Sequence, residues 1–324
     1  MTETTPPGSP TPPGSPTPSA TDRGPTKCGV VAVIGAPNAG KSTLVNQLVG
    51  QKVAITSAKP QTTRARMLGI ALHELDGTPV QMVLVDTPGI FAPRRRLDRA
   101  MVSAAWESAQ SADAVLLMVD PIKQRRHELE PLLEALANRP ERKILVINKV
   151  DRAKKEPMLA LAQDLAGKVD FAEIYFVSAL TGDGVPELKD ALAALMPQAE
   201  WMYPEDQVSD ASERLLAAEI TREQLYQQLH EELPYDSAVR PESYEVRADG
   251  SIEIHQQIVV ARETQRAIVL GKGGARIKQI GAAARAELSQ VLGVPVHLYL
   301  HVKQSENWAE DKEIFEEIGL DWVR

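Results

Sequence analysis

The sequence is poor in cysteine and in aromatic residues. Cys28 is the single cysteine among 324 residues, so an internal disulfide cannot form, which suits a reducing compartment. Aromatic residues make up 4% of the chain and hydrophobic residues 43%, so we expect a core of aliphatic side chains. The six histidines lack the spacing of metal ligands, which argues against a histidine-based metal site.

Long apolar runs are also lacking. No stretch of about 18 apolar residues is present to span a bilayer, and the N-terminus lacks the basic start and apolar stretch of a secretory signal. We therefore expect a cytoplasmic protein, with peripheral association with the inner face of the cell membrane left open. The net charge of −8 argues against wholesale coating by nucleic acid but permits a local basic face.

The composition divides the chain into four segments. Residues 1–26 repeat TPPGSP and hold almost no apolar side chain, which predicts a disordered tail. Residues 27–197 alternate β-branched runs with helical stretches, which predicts a doubly wound α/β domain with a mostly parallel sheet. Residues 198–207 are expected to be a linker. Residues 208–324 predict a smaller α+β domain in the order helix, strand, strand, helix, helix, strand, with a last helix near Trp308.

The predicted sheet of the first domain has five strands. Each is a short run rich in Val, Ile and Leu that is bounded by turn residues, as in strands buried on both faces. The runs lie at 30–35, 80–86, 114–120, 143–148 and 173–179.

A glycine-rich loop follows the first predicted strand and opens a helix. Its glycines let backbone amides face phosphate, Lys41 supplies positive charge to the β and γ phosphates, and Ser42 offers its hydroxyl to magnesium. The pattern in this context predicts a nucleotide-binding P-loop rather than an ordinary strand-to-helix turn. The predicted nucleotide contacts here are Gly35, Ala36, Pro37, Asn38, Ala39, Gly40, Lys41, Ser42 and Thr43.

Two further segments fit a site for magnesium and the γ-phosphate. Asp86 and Gly89 belong to a DTPG sequence after a predicted strand, and they offer a carboxylate to magnesium and an amide to phosphate. The polar run KPQTTR at 59–64 falls where the loop that senses the γ-phosphate is expected. We favour Thr63 as the residue that completes the magnesium shell, with Thr62 as the alternative. The predicted catalytic residues are Lys41, Thr63, Asp86 and Gly89.

Two strand ends carry the predicted contacts to the base. The first is NKVD, with Asn148, Lys149 and Asp151 as the predicted contacts. The carboxylate of Asp151 can accept hydrogen bonds from the N1 and N2 donors of guanine, and adenine lacks that pair. The next strand end offers a backbone amide to the guanine carbonyl, from Ser178, Ala179 or Leu180. These contacts predict GTP as the substrate and argue against a P-loop kinase or ATPase.

The motifs GAPNAGKS, KPQTTR, DTPG, NKVD and VSAL, followed by IVLGKGGARIKQIG, closely resemble the Era family of ribosome-assembly GTPases over about residues 29–320. The resemblance implies GTP, GDP and Mg²⁺ as ligands and a type II KH fold for the second domain. It further implies that a monomer binds the 3′ end of 16S ribosomal RNA and assists maturation of the 30S subunit.

The glycine loop of the second domain carries the RNA prediction. A glycine loop between two helices lets an RNA backbone approach closely, and neighbouring cations attract its phosphates. The predicted RNA contacts are Gly271, Lys272, Gly273, Gly274, Arg276 and Lys278. The competing interpretation is a GTPase whose C-terminal domain binds protein or membrane and whose glycine loop is only structural.

Three more residues bear on hydrolysis. Ile90 follows DTPG, where Ras and Gα carry the glutamine that positions water, so we expect slow intrinsic turnover. Asn38 resembles the asparagine that helps to hold K⁺ in related GTPases, and a loop-stabilising role is nearly as well supported. Arg64 is expected to be solvated or to face a partner.

Overall fold

The structure is a computed structural model, and it describes residues 25–57, 59, 62–64, 66–91, 96–123, 126–229, 233, 236–318, 320 and 322. The predicted tail lies outside the described residues apart from its last two positions. None of the described helices combines the length and the hydropathy that a membrane span requires.

A mixed sheet organises the first part of the chain. Its described strands are β1 (Lys27–Gly35), β2 (Met67–Leu75), β3 (Thr78–Asp86), β4 (Ala114–Val119), β5 (Arg142–Ile147) and β6 (Glu173–Phe176). They lie in the order β2-β3-β1-β4-β5-β6, and all neighbours are parallel except β2 and β3. Every residue of β4 is buried, as expected for a central strand covered on both faces. The predicted doubly wound class is confirmed.

Helices cover both faces of this sheet. They are α1 (Lys41–Val49), α2 (Arg96–Gln110), α3 (Arg126–Ala137), α4 (Lys155–Ala166) and α5 (Val185–Leu195). Leu44 and Leu188 bring α1 and α5 into one aliphatic core, and Leu133 and Leu161 bring α3 and α4 into a second. The parallel strands therefore end together at one edge, where the loops that follow them meet.

The prediction of five strands misses β2, which pairs with β3 in an antiparallel hairpin. Asp76 and Gly77 connect them with φ angles of 50° and 76°, as a two-residue hairpin turn of left-handed residues requires. The Asp-Gly pair between two apolar runs was the available signal. The run from Met67 to Ala71 is buried throughout, so it lacks the alternation that marks a half-buried strand.

The second part of the chain is a smaller α+β unit. Its elements are α6 (Glu213–Gln228), β7 (Ser237–Val246), β8 (Ile252–Val260), α7 (Glu263–Leu270), α8 (Ala275–Leu292), β9 (Val296–Gln304) and α9 (Lys312–Glu317). Strand β8 is antiparallel to β7 and parallel to β9. Leu225 of α6 and Ile280 of α8 pack with β-strand residues in one core. The predicted element order is confirmed.

The two parts share a buried apolar cluster. Leu97 and Met101 of α2 pack with Trp308 and Phe315 of the C-terminal segment. Lys52 also forms ion pairs with Glu223 of α6 and with a carboxylate of α8.

The predicted linker at 198–207 packs against the first sheet. The amides of Met202 and Tyr203 donate to Gln81 Oε1 over 2.9 and 3.0 Å, and Gln81 Nε2 donates to the Tyr203 carbonyl over 2.9 Å. Because Gln81 is fully buried, these bonds are shielded from water. The connection between the two parts is therefore held in place rather than loose.

Candidate functional site

The P-loop connects the carboxyl end of β1 to the start of α1 and allows no side chain at two glycines. A Cβ on Gly35 would lie 2.4 Å from the Met118 carbonyl oxygen, and one on Gly40 would lie 2.2 Å from Asn148 Nδ2. Gly40 is the N-cap of α1, and as a glycine it offers no side-chain acceptor to the first amides of the helix. Those amides are therefore available to an anion.

Lys41 is buried at the base of this loop. Its Nζ donates to the carbonyls of Gly35 over 3.2 Å and Ala36 over 3.1 Å. Burial lowers the pKa of Lys41 to about 8, although the negative charge of Asp86 acts to raise it. A phosphate beside the ammonium would raise the pKa again, because an opposite charge favours the protonated form.

Three oxygens converge beside Lys41. Asp86 Oδ2 accepts from Ser42 Oγ over 2.6 Å and from Thr63 Oγ1 over 3.3 Å, and the two hydroxyl oxygens lie 2.8 Å apart. Asp86 is fully buried, and its Oδ1 has no hydrogen-bond partner among the described residues. Burial raises the pKa of Asp86 to about 6, although Lys41 and the two hydroxyls lower it.

These oxygens fit a small divalent cation. Adjacent ligands of octahedral Mg²⁺ at about 2.1 Å lie about 3 Å from each other, and all of them are hard oxygen donors. The three oxygen–oxygen separations of 2.6, 2.8 and 3.3 Å match that spacing, and Asp86 Oδ1 remains available. Thr62 Oγ1 instead donates to the Lys59 carbonyl over 2.8 Å. The geometry therefore favours Thr63 over Thr62 as the ligand.

The segment after β3 is tied to the P-loop. A Cβ on Gly89 would lie 2.7 Å from the Pro37 nitrogen, and the Ile90 amide donates to the Gly35 carbonyl over 3.0 Å. The Ile90 side chain packs against the core beside α3 and α4. Ile90 thus has an apolar packing role, while Gly89 brings backbone to the phosphate side of the loop.

The predicted base contacts meet at the ends of β5 and β6. Asn148 Nδ2 donates to the Ala39 carbonyl over 2.8 Å, and the Ala179 amide donates to Asn148 Oδ1 over 2.9 Å. Lys149 Nζ donates to the Asn38 carbonyl over 2.8 Å. A cavity of about 250 Å³ is lined by these elements, including Asp151, Ser178 and Leu180.

Asp120 and Ile122 are among the residues of this cavity that are absent from the sequence-based prediction. Asp120 Oδ2 accepts from Lys149 Nζ over 2.5 Å, and Ile122 presents a half-exposed apolar side chain to the same cavity. Asp120 directly follows β4, whose carboxyl end lies at the same sheet edge, and that position was the available signal. No comparable signal marks Ile122.

The phosphate cavity also includes a residue of the C-terminal unit. It measures about 400 Å³ and is lined by P-loop residues, by Thr63 and Gly89, and by Gln227 of α6. Arg64 was expected to be solvated or to face a partner; it is only 3% exposed, so the first of these alternatives is wrong. Its guanidinium contacts the C-terminal unit, which no local sequence pattern indicates.

The glycine loop joins α7 to α8. Gly271, Gly273 and Gly274 have φ angles of 69°, 61° and 78°, and the space around the last two is open. Lys272 and Lys278 are exposed, whereas Arg276 Nη1 donates to the Gln228 carbonyl of α6 over 2.5 Å. A groove of about 330 Å³ beside α8 is lined by Lys278 together with Arg285, Tyr299 and Leu300.

A P-loop, a magnesium-type oxygen cluster and an NKVD pocket on this sheet define a P-loop GTPase, here followed by a KH-like unit. Family models described as a 50S ribosome-binding GTPase and a KH domain match residues 30–149 and 232–309. GTPase Era of Erythrobacter litoralis (strain HTCC2594) is 83% identical over 299 residues, which cover 92% of this chain and 98% of that protein. The chain belongs to the Era family of GTPases.

Other relatives agree with this assignment. GTPase Era of Bradyrhizobium sp. (strain BTAi1 / ATCC BAA-1182) is 54% identical over 92% of this chain and 96% of its own length. The crystal structure of a point variant of Aquifex aeolicus Era bound to GDP.AlF4- matches with a TM-score of 0.85 and 36% identity, over 91% of this chain and 99% of that one. A structure of Era with MgGDPNP and nucleotides 1506–1542 of 16S ribosomal RNA matches equally well, with a TM-score of 0.85 and 36% identity.

The two glycines that flank α1 give a matched test of the P-loop geometry. Alanine at Gly40 or Gly50 places a Cβ at positive φ, which costs about 1–2 kcal/mol at either position. Only at Gly40 does the Cβ displace Asn148, whereas nothing lies within 4 Å of a Cβ at Gly50. We expect Gly40→Ala to weaken binding of a fluorescent GDP by about tenfold or more, and Gly50→Ala to bind as the parent does. Equal affinities of the two folded variants would contradict this geometry.

Proposed function

We propose that this chain binds GTP with Mg²⁺, hydrolyses it to GDP and phosphate, and thereby switches a KH domain that binds the 3′ end of 16S ribosomal RNA. The observation that carries the proposal is the convergence of Ser42, Thr63 and Asp86 oxygens beside buried Lys41. We assign residues 27–197 to the GTPase domain, 198–207 to the connection and 208–324 to the KH domain.

Each residue of the phosphate site has a distinct role. The P-loop amides of residues 35–43 bind the phosphates, and Lys41 neutralises charge on the β and γ groups. Ser42, Thr63 and Asp86 hold Mg²⁺, which neutralises charge developing on the phosphates. The Gly89 amide faces the γ-phosphate. With isoleucine at position 90, the attacking water is oriented by other groups, which makes intrinsic turnover slow.

The base is selected at the other end of the cavity. Asp151 accepts from the two guanine donors, Asn148 holds the P-loop and the Ala179 amide together, and Lys149 lies along the base. Ser178, Ala179 and Leu180 form the far wall. For K⁺ we propose the Asn38 side chain as a ligand, supported by its resemblance to the P-loop asparagine of related GTPases.

The RNA proposal is supported by the exposed glycine loop and by the solved complex of Era with 16S ribosomal RNA, which matches 91% of this chain. The description of one family model mentions the 50S subunit, but that model matches only residues 30–149. We therefore base the proposed RNA partner on the solved complex with 16S ribosomal RNA. Gly271 to Gly274 admit the RNA backbone, with Lys272, Arg276 and Lys278 as cations. We propose the cytoplasmic 30S subunit as the place of action.

Base selection is tested by exchanging one carboxylate. Asp151→Asn replaces one of the two carboxylate acceptors by a donor and removes the charge, so we expect GTP affinity to fall by about 100-fold, because one hydrogen bond is lost and the other is no longer made to a charged group. Xanthosine triphosphate, which carries an acceptor at that edge, should bind the variant better than GTP does. Asp170→Asn makes the same change at an exposed position and should leave both affinities unchanged. Equal affinity of the parent for ATP and GTP would refute the proposal.

The glycine loop is tested with a double substitution. Lys272→Asp with Gly273→Asp places bulk and negative charge where phosphates approach, so affinity for a single-stranded 16S 3′-end fragment should fall about tenfold or more, with a shallower salt dependence. GTP hydrolysis without RNA should stay near the parent rate.

The matched control is Gly250→Asp with Lys303→Asp. It makes the same charge change in the same domain, and Gly250 also has a positive φ and open surroundings. This control should bind RNA like the parent. If the folded loop variant binds RNA unchanged, the loop is structural and the RNA contact lies elsewhere.

A further inference from the structure

One face of α6 lies against the loop that carries Thr63. Arg222 of this helix is 2% exposed, and its Nη2 donates to the Thr62 carbonyl oxygen. Glu219, one turn earlier, orients the guanidinium by accepting from Nε over 2.8 Å and from Nη2. The planar fork of arginine lets it hold a carboxylate and a carbonyl at the same time.

The residue after Thr63 is anchored in the same domain. Arg64 Nη1 donates to the Ser237 carbonyl over 2.6 Å, and Nη2 donates to the Tyr226 hydroxyl over 3.2 Å. The guanidinium carbon lies 5.9 Å from the ring centroid of Trp308. Thr63 is therefore flanked on both sides by residues whose position depends on the C-terminal domain.

The same helix reaches the nucleotide cavity itself. Glu223 Oε1 accepts from the Thr56 amide over 3.2 Å, near the start of the loop, and Gln227 lines the phosphate cavity of about 400 Å³. One side of α6 carries two pairs of residues that lie one turn apart, Arg222 with Tyr226 and Glu223 with Gln227. Helix α6 is thus a wall of the nucleotide site rather than a distant neighbour of it.

We propose that α6 completes the GTPase site, with Arg222 as a positioning residue that holds the Thr62–Thr63 peptide where the Thr63 hydroxyl reaches the magnesium position. The inference rests on the proposed function, because it assigns a cause to the placement of Thr63 within the same site. If Arg222 positions Thr63 in this way, the affinity for GTP depends on the C-terminal domain, whereas the affinity for GDP depends on the P-loop and the base pocket alone. In switch GTPases this loop is ordered by γ-phosphate and Mg²⁺ contacts and released after hydrolysis.

The full chain with Arg222→Lys tests the role of the guanidinium. Lysine keeps the positive charge but cannot bridge Glu219 and the Thr62 carbonyl as the fork does. We expect affinity for a non-hydrolysable GTP analogue in Mg²⁺ to fall about tenfold, the loss expected for one charge-assisted hydrogen bond. GDP affinity should stay within about twofold of the parent, and the deficit for the GTP analogue should disappear in EDTA.

Arg96→Lys is the matched control. Arg96 also joins the two domains, with Nε 3.2 Å from Glu310 Oε2 and its guanidinium carbon 4.5 Å from the Trp322 ring centroid. Neither contact involves the described loop residues 62–64. This control should bind both nucleotides like the parent. An equal loss of GDP and GTP-analogue affinity in Arg222→Lys would mean a purely structural role, and unchanged affinities would also overturn the proposal. A parent that gains no analogue affinity from Mg²⁺ would instead refute the proposed function.

Discussion

The position of the Thr63 hydroxyl is the constraint on which the site depends. It lies 2.8 Å from Ser42 Oγ, although the two residues are separated by 21 positions of chain. No described helix or strand lies between α1 and β2 to hold it there. Ordering such a loop costs about 1–2 kcal/mol per residue in backbone entropy. Burial of Arg64 and the bond from Arg222 to the Thr62 carbonyl offset that cost at residues 62–64, where the Thr63 hydroxyl must reach the magnesium position.

Burial also sets the charge preference of the site. Lys41 and Asp86 are both shifted toward their neutral forms, with pKa values of about 8 and about 6, because burial penalises charge. Phosphate oxygens beside Lys41 and a divalent cation beside Asp86 restore the charged forms. Since these ligands bind the folded state, they also stabilise it by mass action. Burial therefore disfavours the charged forms of Lys41 and Asp86 without ligands, and it also strengthens the effect of a charged ligand on their pKa values.

The local part of this site could be predicted from the sequence, and the part that spans the two domains could not. Glycine spacing, DTPG and NKVD specify short backbone segments at strand ends, so their residues meet at one sheet edge once the doubly wound order is known. Arg222 and Thr62 are 160 positions apart, and nothing in either neighbourhood encodes their contact. Arg64 was expected to be solvated or to face a partner, and packing against the C-terminal unit buries it. The missed strand β2 had a local signal in Asp76-Gly77, and its continuous burial obscured the usual alternation.

The central claim is that the nucleotide loop and helix α6 form one unit in the GTP state. Amide hydrogen exchange of the full chain tests it most directly, because exchange reports local opening of each segment separately. With a non-hydrolysable GTP analogue and Mg²⁺ in place of GDP, we expect protection to rise together at residues 62–64 and at the C-terminal end of α6, near Tyr226. Protection that rises at residues 62–64 while α6 exchanges at the same rate as it does with GDP would contradict the coupling.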